Sequence, residues 1–375
     1  MGSESREVNL SLTVALPIAL AVLRVAVVAL VGYALIHRKV LHPSALADLS
    51  LLVIKVTAPC LLFANAAGGF SGASLASSLA ALAGGPLILG FGYGSGIMLA
   101  ALLRVRPAHH RAVVAASTFQ NSAYLPIAVA VSALPPLAAA FPHGPATALG
   151  AIGPASLVAI SLFGVFYSPL FWGIGLWWIT DGLAGGGAER SRRSAWLLRL
   201  FPPPVLGVVA GCLVGLTPVH LALAPPAAPL HFLFAAIGDI GSLTIPLANL
   251  ILGGMLAQAL TSRAAQGRDL VCTVASKLIL TPAVTLALLA ACRPWWAHDP
   301  PLALAAFVVF LQSTCPPATN LAVMTKGVAG AAGSQTPLVI PGLLLAAYPA
   351  ALITMPLWLL AFFHLMTTSS VPPRR

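Results

Sequence analysis

Two short stretches of this chain hold the residue types and spacings that suggest chemistry. The first is Phe119-Gln120-Asn121-Ser122-Ala123-Tyr124-Leu125-Pro126; the second is Leu311-Gln312-Ser313-Thr314-Cys315-Pro316-Pro317-Ala318-Thr319-Asn320. Each sets a glutamine, small polar residues and proline in the middle of an apolar run. Proline has no N–H to donate, and its ring clashes with the carbonyl four residues earlier. Pro126 therefore frees the carbonyl of Ser122, and Pro316 and Pro317 free those of Gln312 and Ser313. Inside a bilayer such groups must be buried in protein or face water. A helix broken there also exposes the ends of its dipole, and a positive N-terminal end holds an anion without a full charge. The candidate substrate-binding residues are Gln120, Asn121, Ser122, Pro126, Thr314, Cys315, Pro316, Pro317, Thr319 and Asn320. Single prolines such as Pro17, Pro169 or Pro282 need be no more than kinks. The matched pair with its polar clusters is what points to a site.

Full charges add a second set. Arg24, Lys55 and Lys277 fall within apolar runs, where a charge costs about 3 kcal/mol or more and is a functional candidate. Lys55 stands one turn before Pro59, suited to attract an anion or to fill the place of a coupling ion. Lys277 is eight residues into its run, close enough to the end for a snorkelling side chain as well as a functional one. Asp239, early in the seventh run, and Asp48, at the start of the second, are either helix caps or proton sites. Lys55, Asp239 and Lys277 are thus the candidates for coupling or charge balance. No pair of mid-membrane carboxylates exists for a sodium site. Protons are the expected coupling ion, with uncoupled uniport left open. The nine histidines fall in loops or at run ends, with His109 and His110 expected at the cytoplasmic surface. The five cysteines read as small buried apolar residues. No metal site, cofactor or catalytic residue is expected.

The elements that must position these residues are membrane helices. Of 375 residues, 59% are hydrophobic and 7% charged, and mean hydropathy is +0.97. A soluble domain carries about 25% charged residues, so a soluble enzyme, a secreted disulfide scaffold and a disordered chain are excluded. Apolar runs broken by charges or Pro/Gly clusters predict ten spans, near 9–36, 46–66, 76–103, 110–133, 148–179, 202–217, 232–260, 269–291, 301–325 and 338–364. The polar stretch 181–200 is read as a short basic cytoplasmic linker between a first repeat over 1–180 and a second over 201–375.

The net charge of +11 reports orientation rather than nucleic acid. Twelve basic residues fall on the loops after the odd-numbered spans: Arg38 and Lys39; Arg104, Arg106 and Arg111; Arg190, Arg192, Arg193 and Arg199; Arg263 and Arg268; and Lys326. Four, Arg6, Arg293, Arg374 and Arg375, fall on the other side. The odd loops are thus expected in the cytoplasm and both termini outside. Five spans per half make the second half insert upside down, the inverted-repeat plan of many secondary transporters. The expected fold is all-α and integral to the membrane.

The Gln120–Pro126 and Gln312–Asn320 stretches, the latter followed by Met324-Thr325, resemble the crossover regions of the auxin efflux carrier family, above all its compact PIN-LIKES branch. Gly238-Asp239, Pro246 and Gly253-Gly254-Met255-Leu256 add to the likeness. The resemblance implies ten helices in two inverted five-helix repeats, with broken helices four and nine crossing to form the substrate site. It implies small organic anions as substrates: indole-3-acetate in plant members, dicarboxylates in some bacterial ones. Two departures stand out. About 20 residues replace the long cytoplasmic loop of the plant plasma-membrane members. Leu62 stands three positions after Pro59, where those members carry a small polar residue, and Asn65 is the nearest substitute.

The expected function is secondary transport of a small organic anion, auxin-like or dicarboxylate, by alternating access. The expected partners are that anion and membrane lipids, with a homodimer left open. A channel or sensor on the same fold is the alternative. An integral-membrane lipid-modifying enzyme is disfavoured, because the chain has no metal-binding acid cluster and no HExxH-like motif. The plasma membrane, the bacterial inner membrane and the endoplasmic reticulum all remain open as locations.

Overall fold

The computed structural model describes residues 23–69 without 25, 72–122, 125–130 without 128, isolated positions between 156 and 179, and then 203–259, 265–297, 299–321 and 336–367. Helix α1 runs over Ala26–His37 and α2 over Ala45–Gly68. Helix α3 is Gly72–Leu102 and α4 is Pro107–Thr118. The fifth span is represented by α5, the turn Leu170–Gly175. Helix α6 is Pro203–Leu216. Helix α7 spans His231–Ala257, interrupted at Leu243, and α8 spans Gly267–Ala291. Helix α9 is Pro300–Thr314 and α10 is Thr336–Thr367. Among the described residues, five helices are long and apolar enough to cross a membrane: α2, α3 over Ala83–Leu102, α7, α8 and α10 over Val339–Met366. The predicted linker 181–200 lies outside the described residues.

Small residues let these helices approach closely, the usual device where lipid gives no hydrophobic drive for helix association. Gly207 and Gly211, one turn apart on α6, face the backbone of Pro59 and Phe63 on α2, and a Cβ at either would collide with it. Gly253 of α7 lies against the backbone of Ala29 and Tyr33, and Gly32 of α1 against that of Leu250. Gly92 and Gly96 bring α3 onto Ser117 of α4. Helices α1, α2, α6 and α7 thus form one packed group. Helices α3, α4, α8, α9 and α10 form another. The groups meet where α7 packs on α10.

Among the described residues, three stretches widen into π-helical turns: Val53–Thr57, Leu170–Gly175 and Ala275–Leu280. A π turn shifts the helix register and is frequent at functional sites. Lys55 lies in the first and Lys277 in the last.

A candidate substrate site between two broken helices

The α4 helix ends at Thr118, and Phe119 turns extended at φ −94°, ψ 113°. The α9 helix ends at Thr314, and Cys315 turns extended at φ −70°, ψ 140°. For Cys315 this is the conformation that the following proline imposes. The two extended segments lie against each other as an antiparallel bridge between Gln120 and Pro317. Asn121 N donates to Pro316 O at 2.8 Å, and Ala318 N donates to Phe119 O at 2.9 Å. Backbone groups left without helical partners therefore satisfy one another across the crossing.

Side chains complete the account. Gln312 Nε2 donates at 2.9 Å to Ser122 O, the carbonyl that Pro126 denies to its own helix. The Tyr167 hydroxyl donates to Gln120 O at 2.7 Å, and the Tyr167 ring packs edge-on to Phe119. Asn121 Nδ2 donates to the Tyr348 hydroxyl at 3.0 Å, and that hydroxyl donates to Pro317 O at 3.1 Å. Among the described residues, Gln120 Nε2 and Gln312 Oε1 are buried without a hydrogen-bond partner.

All ten sequence-derived candidates gather here. Gln120, Asn121, Ser122, Pro126, Thr314, Cys315, Pro316, Pro317 and Thr319 are buried, and Asn320 is half-buried. They are not equally suited to hold an anion. The Thr314 hydroxyl and the Cys315 thiol both donate to Leu311 O, at 2.8 and 3.2 Å, so their protons are committed to their own helix. The Gln120 amide has a donor to offer.

Lys277 arrives from α8. It is fully buried, with a relative exposure of 0%. Its ammonium donates to Gln120 Oε1 at 3.1 Å and to Thr118 O, the C-terminal carbonyl of α4, at 3.4 Å. The snorkelling alternative read from its position is thus replaced by burial at the crossing. The π turn carries the side chain inward, while Ser276 in the same turn meets Ser95 of α3 at 2.8 Å. The negative end of the α4 dipole favours a cation here. No carboxylate among the described residues lies within ion-pair distance of it.

The other charge candidates are not brought to the crossing. Lys55 and Asp239 are exposed on α2 and α7, and Arg24 is exposed just ahead of α1. Leu62 is buried, and Asn65 is half-buried with its Nδ2 unpartnered among the described residues. His109 corrects a second expectation. It is 2% exposed rather than at the surface, and its Nδ1 lies 2.7 Å from Asp269 Oδ2. Asp269 also accepts from Gln266 N at 2.8 Å, closing a capping box at the start of α8. The pair fastens α4 to α8, the helix bearing Lys277.

An apolar cavity of about 240 Å³ lies beside the crossing, in the seam between the two helix groups. Leu30 and Tyr33 of α1 and Leu256 of α7 line one side. Leu125, beyond the α4 break, and Tyr348 and Met355 of α10 line the other. Sequence pattern alone singles out neither Tyr348 nor Asp269. A tyrosine deep in an apolar helix needs a partner for its hydroxyl, and that is the signal the sequence carries for Tyr348.

Residues 17–170 match the family described as Membrane transport protein. The resemblance to the auxin efflux carrier family is borne out. Residues 17–170 are thus similar to this transport family, and the long apolar helices are those of a multi-pass membrane protein. Protein PIN-LIKES 7 of Arabidopsis thaliana is 32% identical over 131 residues, 35% of this chain and 33% of that relative. Protein PIN-LIKES 5 of the same plant is 30% identical over 173 residues, 45% of this chain and 42% of that relative. The matches thus span less than half the length of these curated relatives. The family match includes the Gln120–Pro126 segment and ends before Lys277 and the α9 break.

Proposed function

We propose that this chain carries small organic anions across a membrane by alternating access, with the crossing of α4 and α9 as the substrate site. One observation carries the reading. Lys277 is a fully buried lysine beside the two broken helices, and the described residues supply its amine with neutral acceptors alone. An ammonium has three N–H groups, and two are engaged. A carboxylate entering the crossing would take the third, accept from Gln120 Nε2 and neutralise a charge that is costly in this setting. An auxin-like acid would lay its apolar body against the side chains that bound the crossing. A short dicarboxylate would rely on the crossing alone.

The same reading takes the chain as ten spans in two inverted halves, 1–180 and 201–375, joined by 181–200, with both termini on the non-cytoplasmic side. Seam motion between the helix groups would then expose the crossing to each side in turn. The test is counterflow in proteoliposomes: protein preloaded with unlabelled acid should accelerate uptake of labelled acid. Binding without accelerated exchange would make the chain a sensor, and flux without acceleration by exchange would make it a channel.

A further inference from the structure

We propose that Tyr348 is the specificity-determining residue of this site: its hydroxyl holds the two broken segments together, and its ring separates the crossing from the seam cavity. The inference rests on the carrier reading above. It starts from a side chain on a third helix that touches both breaks. Tyr348 accepts from Asn121 of the α4 break and donates to Pro317 of the α9 break. Its ring meanwhile lines the seam cavity with Leu125 and Met355. It is 7% exposed, so both roles are played inside the protein.

The chemistry of a phenol makes the two faces of this residue unlike. Its one proton goes to Pro317 O. With that proton committed, the hydroxyl has none to offer a carboxylate. An anionic head is therefore turned away from Tyr348 toward Lys277 and Gln120, the groups that bring N–H donors. The ring face offers only apolar contact. An amphipathic acid is oriented by this contrast, head at the crossing and body against the ring. The ring stops the body there and closes the cavity beyond to it.

The backbone supports a fixed placement. Pro349 follows directly and lies within α10. It removes the hydrogen bond to the Leu345 carbonyl, while Tyr348 stays helical. The wall is thus carried by a residue inside a continuous helix.

Two substitutions separate ring from hydroxyl. Tyr348→Phe keeps the wall and removes the hydroxyl's bonds to Asn121 and Pro317. Tyr348→Ala removes the wall and joins cavity to crossing. The full chain in nanodiscs is titrated with labelled phenylacetate and phenylbutyrate, which share a head and differ in length, and counterflow of both is measured in proteoliposomes. Tyr348→Ala is expected to shift the ratio of the two Kd values by about tenfold toward phenylbutyrate, the scale of added methylenes in an apolar pocket. Tyr348→Phe is expected to weaken both acids together and leave the ratio unchanged. If Tyr348→Ala does not fold, Tyr348→Leu opens part of the same wall and is expected to shift the ratio in the same direction. A ratio unchanged in the folded wall-opening variant overturns the inference. Binding of both acids by the wild-type chain without counterflow overturns the carrier reading instead, while the Kd ratios still decide the role of Tyr348.

Discussion

Lys277 Nζ lies 3.1 Å from Gln120 Oε1, although 157 positions separate the two residues. The contact joins the π turn of α8 to the extended break after α4. It puts the one fully buried lysine of the described residues beside a glutamine whose amide nitrogen has no partner among them. Cation and amide donor together make the part of the crossing best fitted to a carboxylate.

Replacing Lys277 with methionine keeps most of the volume and removes the charge. Lys277→Met is expected to lower anion transport at least about tenfold, equivalent to about 1.4 kcal/mol of lost binding. The protein should stay cooperatively folded, because an apolar side chain is cheaper to bury than an ammonium without an acid. Counterflow and thermal unfolding read the two effects separately. Retained transport with a sharply lowered melting temperature would make Lys277 a cap for α4 rather than a substrate anchor.

Asn121→Ala and Asn320→Ala should each sharply reduce anion transport in a folded protein. The larger loss is expected at Asn121, which is 7% exposed and bonded to Tyr348, whereas Asn320 is half-buried. Wild-type flux in both variants would defeat the crossing as the substrate site. Gln312→Leu should act on stability instead. It leaves Ser122 O buried without its donor, at a cost of about 1–3 kcal/mol by thermal or denaturant unfolding.

The broken segments are legible in the sequence because the effect of proline is local. Pro126 sits four positions from Ser122, and that carbonyl does take a partner from elsewhere, Gln312. The direction of Lys277 is not legible. Its distance from the end of an apolar run allows snorkelling, and a π turn changes register in a way a 3.6-residue period does not reveal. His109 misleads for a related reason. It opens α4 beside Arg106, His110 and Arg111, which reads as a cytoplasmic rim, and its partner Asp269 lies 160 positions on. Tyr348 sits in a helix with three internal prolines and no polar cluster to flag it.

The His109–Asp269 pair should behave as a buried clasp between α4 and α8. Removing either partner leaves the other polar group buried, and breaking such a pair costs about 3–5 kcal/mol. His109→Phe and Asp269→Asn are each expected to lower thermal stability markedly. The double variant should be less destabilised than the sum of the singles, with a coupling above about 1 kcal/mol. Strictly additive effects in that cycle would mean the contact contributes nothing of its own.

Orientation follows from the charges that flank the apolar runs. Twelve basic residues fall on the proposed cytoplasmic loops and four on the opposite side, a bias of the kind that sets topology during insertion. The proposal puts residue 370 outside and residue 188 inside, both beyond the described residues. Ser370→Cys and Ala188→Cys test it with a membrane-impermeant thiol reagent added to intact cells. A variant lacking the five native cysteines serves as background, since Cys60, Cys212 and Cys292 are only half-buried. Labelling is expected at 370 at once, and at 188 only after the membrane is permeabilised. The reverse order would invert the chain and turn the basic loops outward. That would leave the charge asymmetry without a topological cause and require an external anionic surface to account for it.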